Sequence, residues 1–119
     1  MYYNDIARII FLTCDELSNT TVEETAISIA EIQETGSPLR LLWDVSKAKR
    51  IKLNKAEVMR IPALYDSLVV DMTQIRIALL TNNQDLKIFA AMQTIYSRNG
   101  IDFELFNDTD SALTWLQSW

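Results

Sequence analysis

Short apolar runs alternate along this chain with segments whose apolar residues recur at helical spacing. Residues 6–13, 39–45 and 74–81 are nearly continuous apolar stretches, and they predict three strands. The second and third runs are apolar enough for strands that are covered on both faces. Residues 101–106 alternate apolar and polar side chains, which predicts a fourth, half-buried strand.

The segments between and after these strands predict helices that begin at capping residues. Thr20 and Thr21 are each followed three residues later by a glutamate, which is the pattern of a capping box. Asn54 starts a second helical segment, in which Pro62 predicts either a kink or the first turn of a fresh helix. The last helix is expected to follow Asp108, which can cap its first turn.

A third helical segment is expected to begin at Asn83 or Asp85 and to end at Asn99-Gly100. Strands and helices therefore alternate along the whole chain. Such alternation predicts an α/β fold with parallel strand pairs, in which about four strands are flanked by about four helices. With 119 residues, we expect one domain that covers positions 1–119.

Composition excludes several kinds of chemistry. The chain has no histidine and a single cysteine, Cys14, so a catalytic triad with histidine, a histidine metal site and a disulfide framework are excluded. Its two glycines, Gly36 and Gly100, do not form a phosphate-binding loop, and we expect no cofactor, metal or catalytic residue. A net charge of −5 disfavours nucleic acid as a partner. With neither a long apolar stretch nor a signal-peptide pattern, the expected location is the cytoplasm and no transmembrane segment is expected.

Polar residues follow the predicted strands at the edge where ligands bind in open α/β sheets. Asp44 and Ser46 come after the second strand, and Asn82 comes after the third. These three residues form a candidate strand-end ligand pocket. The alternative is that they form turns and cap helices, as polar strand ends commonly do.

Positive charge is concentrated in one predicted loop. Residues 47–55 contain five of the eleven lysines and arginines and no acid, whereas residues 1–39 contain seven acids and a single arginine. A basic loop ahead of a helix suits an anionic group or an acidic protein surface. The alternative is a solvated loop without a partner. The candidate partner- or anion-binding residues are Lys47, Lys49, Arg50, Lys52 and Lys55.

The segment 58–72 is unusually apolar, with ten apolar residues out of fifteen. An amphipathic helix needs one apolar stripe only, so the surplus suggests a second buried face at a dimer interface or around an apolar ligand. The alternative is a kinked helix whose second half tucks under the sheet. The candidate dimer or apolar-ligand surface consists of Ile61, Leu64, Tyr65, Leu68 and Phe89.

Several strings, in this order and spacing, give the chain a family resemblance. They are LRLLWDVS at 39–46, IRIALLTNN at 75–83, SRNG at 97–100 and FELFNDTDSALTWL at 103–116. Together they resemble the SpoIIAA-like branch of the STAS superfamily, which includes anti-sigma factor antagonists and is related to CRAL-TRIO lipid-binding domains. The resemblance implies a mixed sheet whose first strand can pair antiparallel. It also implies binding and partner switching rather than catalysis, and homodimers among bacterial members.

The chain departs from this family at the phosphorylation site. Regulatory STAS proteins carry a phosphorylatable serine where the helix begins after the central strand, but residues 51–56 contain neither serine nor threonine. We therefore do not expect phosphoserine switching. The sequence predicts a non-enzymatic, STAS-type bacterial regulatory module that binds an anionic or protein partner through the loop 47–55. The alternative function is a carrier or sensor of a lipid, a fatty acid or another apolar small molecule.

Overall fold

A computed structural model describes residues 2–4, 9–33, 38–82 and 86–118 of the chain. Seven strands and five helices lie within these residues. The strands are β1 (Tyr2–Asn4), β2 (Ile9–Thr13), β3 (Glu16–Leu17), β4 (Leu39–Asp44), β5 (Arg50–Ile51), β6 (Ile75–Leu80) and β7 (Asp102–Phe106). The helices are α1 (Asn19–Gln33), α2 (Lys55–Val58), α3 (Ile61–Ser67), α4 (Lys87–Arg98) and α5 (Thr109–Gln117). A short 3-10 turn, Met72–Gln74, precedes β6.

Five of the strands form one mixed sheet in the order β1-β2-β4-β6-β7. Strands β2, β4, β6 and β7 are parallel, whereas β1 pairs antiparallel with β2. The predicted small, mostly parallel α/β fold is therefore confirmed, with β1 as a strand beyond the four predicted. The predicted first strand, 6–13, is described from Ile9 onward, and its first three residues lie outside the described part.

The central strands are nearly continuous in apolar residues because both faces of the sheet are covered. Leu41 and Ile77 lie in a large core on one face. Leu42 and Ala78, their neighbours along β4 and β6, lie in a smaller core on the opposite face. Successive side chains of a strand point to opposite faces, so a strand buried on both sides has no polar position to spare.

Four helices cover one face and one helix covers the other. The large core includes Val22 of α1, Val58 of α2, Ile61 of α3 and Phe89 of α4. The smaller core contains two residues of α5, Ala112 and Leu116. From β2 to β7 the chain crosses the sheet in one direction, and right-handed crossovers then place every connecting helix on the same face. Helix α5, which follows the last strand, packs on the opposite face.

Most of the residues predicted to begin helices do so in the structure. Asn54 and Glu57 form a capping box, in which the Asn54 side chain accepts from the Glu57 N–H at 2.9 Å. Pro62 lies in the first turn of α3, which confirms the fresh-helix alternative. Asp108 caps α5 by accepting from the Ser111 N–H at 2.8 Å.

The prediction for the start of α1 is wrong by about one or two residues. The helix begins at Asn19, and the Ser18 side chain accepts a hydrogen bond from the Thr21 N–H at 3.4 Å. The Thr21 hydroxyl instead donates to the Glu16 carbonyl at 2.7 Å, so it is engaged with the strand before the helix. The two residues predicted as possible starts of the third helical segment, Asn83 and Asp85, lie outside the described residues.

Candidate functional site

The basic loop 47–55 is fixed in place by backbone pairing. Its middle forms β5, which pairs in parallel with β3 so that Glu16 faces Arg50 and Leu17 faces Ile51. The Lys49 N–H donates to the Asp15 carbonyl at 2.8 Å, and the Lys52 N–H donates to the Leu17 carbonyl at 2.7 Å. Part of the loop is therefore a short β-strand, and backbone hydrogen bonds hold the loop in place.

Buried residues anchor both ends of this loop. Val45 precedes it, Leu53 lies near its end, and both side chains are buried in the large core. The capping box at Asn54 then starts α2 directly after the loop. All five candidate cations are exposed, four of them between the anchors and Lys55 just beyond Leu53. Their backbone is ordered by the fold while their side chains stay in solvent.

Two features modify the charge of this loop. The Lys52 ammonium lies 3.8 Å from a Glu16 carboxylate oxygen, and both side chains are largely exposed. Such a surface pair contributes little to stability, but it brings negative charge beside the loop. Between two of the cations, the apolar side chain of Ile51 is 38% exposed. The loop thus presents charge around an apolar centre.

The strand-end residues predicted as a pocket do lie together, and they bind one another. One Asp44 carboxylate oxygen accepts from the Ser46 N–H at 2.9 Å and from the Ser46 hydroxyl at 2.5 Å. The Asn82 side-chain amide donates to the Ser46 carbonyl at 3.4 Å. These bonds build a turn and tie it to the next strand, which is the structural alternative given above.

An open, acidic cleft lies beside this turn, between the end of β2 and α1. Its volume is about 350 Å³, and it is lined by Cys14, Asp15, Glu16 and Glu24 among mainly hydroxyl-bearing side chains. Burial raises the pKa of the Cys14 thiol, as do the nearby carboxylates Asp15 and Asp44 to a smaller extent, against a lowering contribution from the Trp43 indole. The thiol therefore stays protonated and is a poor nucleophile. Among the described residues, no group of acids and cysteine is arranged to hold a metal ion.

The apolar segment 58–72 buries most of its surplus inside the chain's own core. Ile61, Tyr65 and Phe89, three of the candidate surface residues, are buried there, the last two with 0% exposure. Leu64 and Leu68 are partly buried against the same core. Buried side chains have no accessible surface with which to contact a second chain. Of the five candidate residues, Leu64 and Leu68 are the two that remain partly exposed.

The cleft that Ile61 and Leu64 line is small. It has a volume of about 120 Å³ and is lined by Ile61 and Leu64 together with the polar side chains Asn19, Glu23, Glu57 and Arg60, and with Val22. Small-molecule sites usually enclose about 300–1,000 Å³ and are mainly apolar. This cleft does not meet the requirement of an apolar-ligand carrier.

A larger groove, which the sequence reasoning missed, separates α2 from α4. It has a volume of about 360 Å³, and Lys55, Met59 and Arg98 line it together with small or partly buried residues of α4. The Met59 side chain is 54% exposed. Lys55 and Met59, four residues apart, were the local signal, but Arg98 is brought near them only by the packing of α2 on α4.

Comparison of the chain with family models, with curated proteins and with solved structures found no match to any of them. The resemblance to the STAS superfamily consequently stays a prediction. None of the helices in the described part of the chain has both the length and the apolar character to span a membrane.

Proposed function

We propose that this chain is a non-enzymatic, STAS-type regulatory module, which engages an acidic protein partner through the basic loop 47–55. The observation that carries the proposal is the exposure of five cations on a loop whose backbone is held by β3 and by two buried anchors. Lys55, the last residue of the loop, is also the first residue of α2.

Order in the loop backbone favours binding. A flexible loop loses conformational entropy when a partner fixes it, and this loss reduces affinity. Here the folded chain has already ordered the backbone through the hydrogen bonds of Lys49 and Lys52. A partner has to immobilise only side chains, which lowers the free-energy cost of association.

The composition of the loop favours a protein surface over a free anion. Ile51, exposed between Arg50 and Lys52, gives the loop an apolar centre that a small inorganic anion would leave uncovered. An acidic protein patch with an apolar residue at its middle matches both features. Charge complementarity of this kind mainly raises the association rate and the specificity, and salt weakens it.

The test is a triple charge reversal, Lys49→Glu, Arg50→Glu and Lys52→Glu, in an affinity capture from the source cell followed by binding measurements with the purified partner. We expect the dissociation constant to rise at least about tenfold, because like charges then face the acidic patch. Circular dichroism should show an unchanged fold, since all three side chains are exposed.

A control places two reversals outside the loop, at Lys87→Glu and Arg98→Glu on α4. These remove cations outside the loop, and the partner should bind this variant like the original chain. A partner that binds the triple variant as tightly as the original protein would refute the proposal, as would a capture in which no partner depends on the loop.

A further inference from the structure

The helices on the main face of the sheet form a layer with two chemically different flanks. Helix α3 packs against both α1 and α4, and α2 packs against α4. The short helices α2 and α3 therefore occupy the middle of the layer, with α1 on one flank and α4 on the other. The polar cleft that contains Glu23 of α1 and Arg60 joins the first flank to the middle.

The α1 flank is acidic with one apolar residue at its centre. Within α1 there are three glutamates and neither lysine nor arginine. Glu24, Ile27 and Glu31 are all exposed. Their spacing of three and four residues places them on one outward stripe of the helix. Ile27, in the middle of this stripe, is 46% exposed although it is a large aliphatic side chain.

The α4 flank has the complementary character. Helix α4 carries Lys87 and Arg98 and no acid. The groove between α2 and α4 has Met59 exposed in it, and the cations Lys55 and Arg98 belong to its lining. This flank thus offers an apolar groove with positive charge in its walls.

From these two flanks we infer that a second copy of this chain covers the helical layer. In this arrangement α1 of each protomer lies in the α2–α4 groove of its partner. Ile27 of one protomer then contacts Met59 of the other, and the glutamates of α1 lie near the cations of the groove. A two-fold axis through the middle of the layer makes both contacts at once, as in the isologous interfaces of most dimers.

The contact needs a modest share of the chain's surface, and the layer has the charge pattern for it. A stable interface buries about 800 Å² on each partner, which is about an eighth of the 6649 Å² accessible surface of the chain. The middle of the layer carries exposed residues of both signs, Arg60 and Asp66, so it is not self-repelling at the axis. Leu64, from the candidate dimer surface, lies there and is partly exposed.

The inference does not rest on the proposed function. Lys55 belongs to both surfaces, so the experiment leaves it unchanged and alters only α1 and α4. One variant carries Lys87→Glu and Arg98→Glu, and a second carries Glu24→Lys and Glu31→Lys. A control, Lys47→Glu with Lys49→Glu, makes the same charge change as the first variant but in the loop.

Sedimentation velocity from about 1 μM to 1 mM measures the association of each chain, a range that covers weak dimers. We expect the original chain and the loop control to dimerise, and each flank variant to associate at least about tenfold more weakly because both of its contacts become repulsive. An equimolar mixture of the two flank variants should dimerise again, since opposite charges then face each other at both contacts.

Three results would overturn the inference. The first is an original chain that stays monomeric over the whole range. The second is a dimer that the flank reversals leave unchanged, or whose association the mixture fails to restore. The third is growth beyond the dimer, because a head-to-tail contact without a two-fold axis forms larger assemblies. The variant Ile27→Asp provides a check that involves no change at the cationic flank, and it should weaken association as well.

Discussion

Val69 occupies a backbone position that favours glycine, so replacing it by glycine should stabilise the protein. Its φ angle is 57°, in the left-handed region, and its side chain is 90% exposed. The residue ends α3 in a Schellman motif, in which the Val70 N–H donates to the Tyr65 carbonyl and the Val69 N–H donates to the Asp66 carbonyl. A β-branched side chain is a poor choice at this position because its Cβ crowds the backbone.

The magnitude follows from three contributions. A left-handed conformation costs an L-residue about 1–2 kcal/mol, and Val69→Gly relieves this strain. Glycine loses about 0.5–1 kcal/mol more than alanine in backbone entropy on folding, which offsets part of the gain. The valine side chain is almost wholly in solvent, so its removal sacrifices little burial. We expect a net gain of about 1 kcal/mol in the free energy of unfolding, or about 4 °C in Tm for a chain of this length.

Urea and thermal unfolding, followed by circular dichroism, measure the effect. Val69→Ala is the matched control, because it removes the branched carbons while keeping a Cβ in the left-handed region, and it should gain less than Val69→Gly. Gly100 ends α4 with φ of +95°, and a Cβ built there would lie 3.2 Å from the Thr73 methyl carbon. Gly100→Ala should accordingly destabilise. A Val69→Gly protein no more stable than Val69→Ala would refute the reasoning.

Two titrating groups give further predictions. Hydrogen bonds from Ser111 lower the pKa of Asp108, so its stabilising contribution is present above the unfolded pKa and is lost as pH falls through the folded one. The stability of the native chain relative to Asp108→Asn, measured by urea unfolding, should therefore fall on acidification, and a constant difference would contradict this. Burial raises the pKa of Tyr65 from its ordinary value of 10 to about 12. The stability that depends on the neutral Tyr65 hydroxyl should fall by about 2 kcal/mol between pH 10 and 12, and Tyr65→Phe should lose less stability over this window. Among the described residues the Tyr65 hydroxyl makes no hydrogen bond of standard geometry, although the Tyr96 hydroxyl lies near it, so Tyr65→Phe should cost little stability at pH 7.

The elements that the sequence predicts well are those with local causes. The capping box at Asn54 and Glu57 joins residues three apart, and the turn at Asn99-Gly100 needs only the conformational freedom of one glycine. Strands β2, β4 and β6 follow from their apolar runs because both of their faces are largely buried, and β7 follows from its alternation of apolar and polar residues. In each of these cases, the residues that signal the structure are also the residues that form it.

The features that the sequence does not predict depend on distant contacts. Strands β3 and β5 have two residues each, and nothing in their composition distinguishes them from loop. Their pairing orders the basic loop, so the charge of the loop was predictable but its rigidity was not. The apolar surplus of 58–72 left a surface and a buried alternative open, and only the packing of Tyr65 against Tyr96, with ring centroids 5.8 Å apart, shows how much of it is internal.

The candidate strand-end pocket shows that the sequence also does not predict which polar atoms remain available to a ligand. Strand order correctly brings Asp44, Ser46 and Asn82 to one edge of the sheet, but their hydrogen bonds are directed to one another. Topology places side chains, whereas short-range geometry decides whether their polar atoms remain available to a ligand. Residue type and spacing predict where the side chains lie, but they do not predict whether their polar atoms are already hydrogen-bonded.

The distribution of charge over the surface follows from the order of charge along the chain. Because the crossovers from β2 to β7 all run in one direction, the connecting helices lie side by side on one face in their sequence order. The acidic first crossover, α1, and the cationic last one, α4, therefore become opposite flanks of one layer. A net charge of −5 conceals this separation, because the sum discards position. Had the helices alternated between the two faces, as they do when strand order reverses, α1 and α4 would not form the flanks of one continuous surface. The self-complementary layer is thus a consequence of topology acting on a charge gradient that is already present in the sequence.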